Sequence, residues 1–174
     1  MKPNFAAVAA SLALSFAFSQ VQAAGPSDPQ IAAIVVTANQ VDIDAGQLAL
    51  SKSKTADVKT FAQLMITDHG GVNKAATELV QKLHVTPESN PTSQSLQKGG
   101  DDNLAALKKL NGSAFDNAYV DHEIAYHQAV LDAVDTTLIP SAQNAELKAL
   151  LVKVRPAFVA HLEHAKHLKA ELAK

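Results

Sequence analysis

Apolar residues in this chain recur at steps of three and four, the spacing that stacks side chains along one face of an α-helix. The first stripe reads Ile31, Val35, Ala38, Asp42, Ala45 and Ala49, widened by Ile34, Val41 and Leu48. After a short leader from Pro26 to Pro29, it predicts a helix from about Gln30 to Lys52. A second stripe of Val58, Phe61, Met65, His69, Val72, Ala76, Leu79 and Leu83 predicts a helix from about Thr55 to Leu83, with Ser53 or Thr55 available as its cap. The Gly70-Gly71 pair inside it costs about 1–2 kcal/mol of helix propensity and marks either a kink or a close helix approach.

His84 to Ser95, with Pro87 and Pro91, reads as a loop. Beyond Gly99-Gly100 a short helix is expected from Asp101 or Asp102 to Leu110, stopped by Asn111-Gly112. The third long pattern, about Ser113 to Thr137, carries Val120, Ile124, His127, Leu131, Val134 and Leu138, with Pro140 in the next turn. The last, about Ser141 to Leu172, carries Leu147, Leu151, Val154, Phe158, His161, Ala165, Leu168 and Leu172. Pro156 inside it is expected to bend it. Four long amphipathic helices imply an all-α fold, a four-helix bundle. A short extra helix in the long crossover between the second and third long helices matches a ferritin-like connection.

Residues 1–24 read differently. Lys2 is the only early charge, and Phe5 to Phe18 is almost unbroken Ala, Val, Leu and Phe. Val21-Gln22-Ala23 offers a cleavage site before Ala24, and Gln22-Ala23-Ala24 a second before Gly25. An apolar run of about fourteen residues suits a signal peptide and is short for a spanning helix. The expectation is a cleaved signal over 1–24, one domain over 25–174, and a periplasmic or otherwise exported protein. No second segment is apolar enough to span a membrane.

Composition narrows the chemistry. The 174 residues contain no Cys, which removes disulfides, thiolate catalysis and Cys-based zinc sites. A formal charge of −2 provides no basic footprint for nucleic acid. The chain has no nucleophile elbow, P-loop or dinucleotide fingerprint. Seven His are many for this length, and three fall on apolar stripes.

Each stripe is interrupted once, by Asp42, His69, His127 and His161. A lone His on an apolar face is usually a satisfied core residue, but four such groups, one per helix, are a constellation. Three imidazoles and a carboxylate converging from four helices would satisfy one another around a single divalent metal, Zn, Cu or Fe. Counted along the helices at 1.5 Å per residue, three of the four neighbouring pairs are level within one turn. The pair His127 and His161 is not: about ten residues separate one from the shared turn and about seventeen to twenty the other, which leaves open a different layer for His161. Glu123, one turn before His127, and His164, one turn after His161, are candidates for a further ligand or for positioning one. Asp68 is expected to face solvent or to orient a neighbour. His84, His122 and His167 read as exposed or boundary residues. His122 and His127 are five apart, about 140° around a helix, so this is not a zincin pair. No acidic residue has a His three positions on, which disfavours a di-iron carboxylate centre.

The chain resembles a bacterial exported family described as domain of unknown function 4142. The resemblance rests on Ala38, Asp42, Gly46, Leu48-Ala49, Val58-Lys59, Phe61-Ala62, Met65 and Asp68-His69, on Phe115-Asp116, Tyr119-Val120 and His127, and on His161-Leu162. Phe61 to His69, Phe-Ala-x-x-Met-x-x-Asp-His, is its most specific part. It implies a ferritin-like four-helix bundle in the periplasm or envelope. His69, His127 and His161 fall on the family's characteristic histidines, and Asp42 stands where the family usually has Glu. The functional expectation is an exported bundle that binds one divalent metal, for metal handling or stress protection. Its rival is a non-enzymatic envelope protein with a metal-free, hydrogen-bonded polar core, acting through its helix surfaces on a protein partner or a second copy.

Overall fold

Helix starts are written into the sequence as side chains that accept from free backbone N–H groups. The computed structural model describes residues 25–174, and the expected signal peptide lies outside them. Among the described residues there are helices and connecting turns, and no strand. Helix α1 spans Asp28–Lys52, α2 Ala56–Lys82, α3 Pro91–Lys108 and α4 Gly112–Ala133. A π-helical turn, Val134–Leu138, leads into the short α5, Ile139–Ser141, and α6 spans Ala145–Leu172. The four long stripes thus lie on α1, α2, α4 and α6. No described helix is long and apolar enough to cross a membrane.

Packing alternates along these four helices. One apolar core gathers Ala45 and Ala49 of α1, Phe61 and Met65 of α2, Phe115 and Tyr119 of α4, and Ala165 and Leu168 of α6. A second gathers Ile31 and Val35, Ala76, Val134 and Leu138, and Leu147 and Leu151. On every long helix the polar guest falls between the two cores. The order of the cores also gives the directions: α1 and α6 run one way, α2 and α4 the other.

Two parallel neighbours in sequence, α2 and α4, require the chain to return the full length of the fold. Helix α3 makes that return, and here the expected short helix is corrected. It spans 18 residues rather than about ten, and the segment 91–95, read as loop, is its first turn. Asn90 starts it: its Oδ1 accepts from Thr92 N and Ser93 N, each at 3.1 Å, and Ser93 Oγ accepts from Asn90 N at 3.0 Å. Pro91 at the first position has no N–H to leave unpaired. Eighteen residues at 1.5 Å each cover about 27 Å, enough to run beside α1. Asn90 Nδ2 donates to Gln30 O near the start of α1, and Lys52 Nζ donates to Lys108 O at its end.

The glycine pairs also change meaning. Gly99-Gly100 does not break α3. A Cβ on Gly100 would stand 2.7 Å from Val41 Cγ2, so this glycine lets α3 lie against α1. Gly70-Gly71 is the opposite case: a Cβ on either would meet no atom within 4 Å, and α2 runs unbroken through both. No close helix approach occurs there.

Helix α4 ends at Ala133, and the π-helical turn and α5 carry the helical chain past the expected boundary at Thr137. Pro140 has no N–H to offer the carbonyl of Thr136, and Thr136 Oγ1 donates to Asp132 O at 2.6 Å, two perturbations that loosen the regular ladder. Helix α6 starts at Ala145 instead of Ser141, where Asn144 Oδ1 accepts from Glu146 N and Leu147 N. It continues through Pro156. Asp28 joins the starts of α1 and α6 by accepting from Gln143 N and Asn144 N, both at 2.9 Å.

Two substitutions test this reading by chemical denaturation. Gly71→Ala should stabilise by about 0.5–1 kcal/mol through helix propensity alone. Gly100→Ala, carrying the same propensity gain, should destabilise, because the β-branched Val41 has few rotamers with which to yield. Equal effects at the two sites would contradict the packing of α3 on α1.

Candidate metal centre

The polar guests meet in one layer between the two apolar cores. Asp42 and His69 are 2 % exposed, His127 1 %, His161 2 % and Glu123 0 %. Ring centroids lie 5.5 Å apart for His69 and His127, 5.1 Å for His69 and His161, and 5.4 Å for His127 and His161. One ring nitrogen from each lies within 4.8 Å of the other two. A second group with the same spacing joins Asp42, Glu123 and His127. His161 is therefore level with the others, and the helix ends explain why. The run from His127 to Ser141 is 14 residues, and that from Ala145 to His161 is 16, because the π-helical turn and α5 lengthen the first arm while the later start of α6 shortens the second.

Hydrogen bonds fix which face each imidazole turns inward. Asn39 Nδ2 donates to Val35 O at 2.7 Å, which leaves Asn39 Oδ1 to accept from His69 Nδ1, also at 2.7 Å. His127 Nδ1 donates to the backbone carbonyl of Glu123 at 3.0 Å. His161 Nε2 donates to Asp68 Oδ2 at 2.9 Å. All three acceptors lack a proton to give, so each of these nitrogens carries the hydrogen and the opposite nitrogen is a bare lone pair. Those opposite nitrogens are His69 Nε2, His127 Nε2 and His161 Nδ1, and each is buried without a hydrogen-bond partner. Three acceptors face one another with no donor among the rings.

Carboxyl groups complete the layer. Asp42 Oδ2 lies 3.5 Å from His69 Nε2 and Glu123 Oε2 lies 3.5 Å from His127 Nδ1. Asp42 Oδ1 and both Glu123 oxygens have no hydrogen-bond partner. Burial dominates the protonation of all of these groups. It lowers His69 to about 2, with help from His127 and His161. It lowers His127 to about 4 against the Glu123 carbonyl, and lowers His161 against Asp68. Burial raises Asp42 well above the ordinary carboxylate range, with Glu123 adding to the rise, and raises Glu123 to about 8. At neutral pH the imidazoles are uncharged.

Of the sequence candidates, His69, His127, His161, Asp42 and Glu123 come together, and Asp68 stands behind His161 with its side chain 41 % exposed. His164 does not join them. Its ring sits edge-on to Phe61, centroids 5.1 Å apart, because one turn beyond His161 already belongs to the neighbouring apolar core. His84 and His167 are exposed, and the half-buried His122 stacks on Tyr126. Three contributors escaped the sequence reading. Asn39 orients His69, Phe158 stacks on the His69 ring at 5.4 Å and 9°, and Tyr119 places a buried, unpartnered hydroxyl one turn from Glu123. Asn39 left a signal as a polar residue three positions before Asp42, and Phe158 as the stripe residue three positions before His161.

A profile of the family described as domain of unknown function (DUF4142) matches residues 13–168. No curated protein and no solved structure gave a match.

The metal-free protein has a defined pH response. Unfolded histidines take a proton near 6.5, but His69 and His127 do so in the fold only near 2 and 4, so their contribution is whole above 6.5 and lost as pH falls. Glu123 keeps its proton in the fold to about 8 against 4.5 when unfolded, so its contribution is whole below 4.5 and lost as pH rises. The two slopes oppose each other between 4.5 and 6.5. With three lowered histidines against the two raised carboxyls of Asp42 and Glu123, thermal stability in chelator should be greatest towards the upper end of that window and fall on both sides, by about 1.4 kcal/mol per pH unit for each unmatched proton. A midpoint rising steadily from pH 4.5 to 8 would contradict this.

Proposed function

The chain belongs to the DUF4142 family, and we propose that it is an exported, ferritin-like four-helix bundle that binds one divalent metal ion in its polar layer. His69 Nε2, His127 Nε2 and His161 Nδ1 are the proposed nitrogen ligands, with Asp42 as the fourth and Glu123 beside it. The observation that carries this reading is the set of three inward lone pairs held in place by Asn39, the Glu123 carbonyl and Asp68. Metal-ligating histidines ordinarily give their second ring N–H to a carbonyl or carboxylate in this way. The metal-free alternative, in which the polar core satisfies itself by hydrogen bonds, has only the protonated carboxyls of Asp42 and Glu123 as donors for three imidazole lone pairs, and none of those nitrogens is hydrogen-bonded. The site suits Zn, Cu or Fe, and the role we propose is metal handling or stress protection outside the cytoplasm, following cleavage of a signal peptide over 1–24.

Titration of the purified protein with Zn, Cu(II) and Fe(II) should show about one ion bound. An ion at a hundredfold excess over its Kd should stabilise by about 2.7 kcal/mol in thermal melts. Asp68→Asn and Asn39→Leu, which keep every ligand, should weaken binding by about 10–100-fold. His69→Leu should remove the ion-dependent stabilisation; if it leaves that stabilisation intact, His69 is no ligand. No stabilisation by any of the three ions would sink the reading.

Export has its own check. The mass of the protein recovered outside the cytoplasm should correspond to a chain beginning at Ala24 or Gly25, and a retained N-terminus would contradict a cleaved signal.

A further inference from the structure

The polar layer is open on one side. A cavity of about 500 Å³ lies between α1, the first turns of α3, the end of α4 and α6. Its size falls within the range of small-molecule sites. Asn39, Asn90 and Tyr126 on the lining are hydrogen-bonded within the protein. Gln30, Thr92 and Thr137 also border the space, and the walls are otherwise apolar, built from Ile34, Val35, Val130, Val134, Leu138 and Leu151. One end is not. Asp42 and His69, each 2 % exposed, line it, and Asp42 Oδ1 and His69 Nε2 have no hydrogen-bond partner. His127, His161 and Glu123 do not line the cavity. Of the five grouped side chains, Asp42 and His69 are thus the two that border this space. Phe158, stacked on His69, also lines the cavity and carries its apolar wall up to the imidazole.

That distribution selects a class of ligand. A sugar, nucleotide or peptide would bring many polar groups against walls that offer them few free partners, and unpaired burial is unfavourable. A molecule with an apolar body and one polar end loses nothing along the walls and gains from leaving water. We propose that the cavity takes a small molecule of this kind, an alkyl carboxylate, whose head group ligates the ion across the Asp42–His69 edge. This rests on the metal-binding reading, because the ion is what receives the head group.

The probe is octanoate, with acetate as the head group alone, added to the full protein loaded with Co(II) and to the metal-free protein. Octanoate should change the visible absorption of the bound cobalt. By calorimetry it should bind at least about tenfold more tightly than acetate, since six further methylenes leave water. It should also bind at least about tenfold more tightly to the cobalt form than to the metal-free form. Ala133→Phe, or Ala129→Phe if the first variant fails to fold, should narrow the cavity and weaken octanoate at least about tenfold while cobalt still binds. Normal cobalt uptake with an unmoved spectrum, or with octanoate no tighter than acetate, would overturn the inference and leave the metal site standing. Failure to take up cobalt, with Zn, Cu(II) and Fe(II) also inert, would remove the metal-binding reading itself and the head-group contact with it.

Discussion

Three imidazoles turned lone pair inward, each no more than 2 % exposed, are the constraint around which the rest of the chain is arranged. Each ring has its orientation set by an acceptor on its far side, and the three acceptors come from different places: an amide on α1, a carbonyl of α4 and a carboxylate on α2. Left to themselves, three facing acceptors are unfavourable, since every buried lone pair without a donor gives up its hydrogen bond to water. Asp42 and Glu123 add further unpartnered oxygens to the same layer. Grouped in this way, the buried side chains could hold a metal ion. Burial keeps the imidazoles neutral, so a proton is a poor occupant of the space between them.

The apolar cores above and below the layer make that arrangement affordable. Phe61, Met65, Phe115 and Tyr119 pack on one side, and Ile31, Leu138 and Leu151 on the other. Because the layer sits mid-helix on all four long helices, each helix must extend in both directions from its polar guest, and the connections must return the chain to the correct end. Helix α3 answers the largest of these demands by carrying the chain back along α1, which needs Gly100 at the crossing with Val41. The π-helical turn answers a smaller one, by bringing His127 and His161 to a common depth.

Much of this was legible along the chain. The stripes on α1, α2, α4 and α6 named the buried faces, and the interruptions at Asp42, His69, His127 and His161 named four of the five groups that meet. Helix periodicity reports which side of a helix is apolar, and that side is set by local spacing. The extent of α3 was not legible, because Pro91 and Gly99-Gly100 look like breakers in isolation. Pro91 is harmless at a first position, and Gly100 is favoured by a neighbour 59 positions away in sequence. Gly70-Gly71 looks alike and has no such neighbour. The depth of His161 was left open for a related reason, since a π-helical turn has no period that a stripe reveals.

The chain by itself determined the helical class, the apolar faces and the identity of the ionisable groups placed among them, because these follow from side-chain chemistry and a repeat of 3.6 residues. Tertiary structure alone decided which nitrogen of each histidine points inward, that Glu123 belongs with Asp42 while His164 belongs with Phe61, and that one edge of the layer opens to an apolar cavity. Those outcomes depend on partners contributed by other helices, and the distances between helices are not encoded in the periodicity of any one of them.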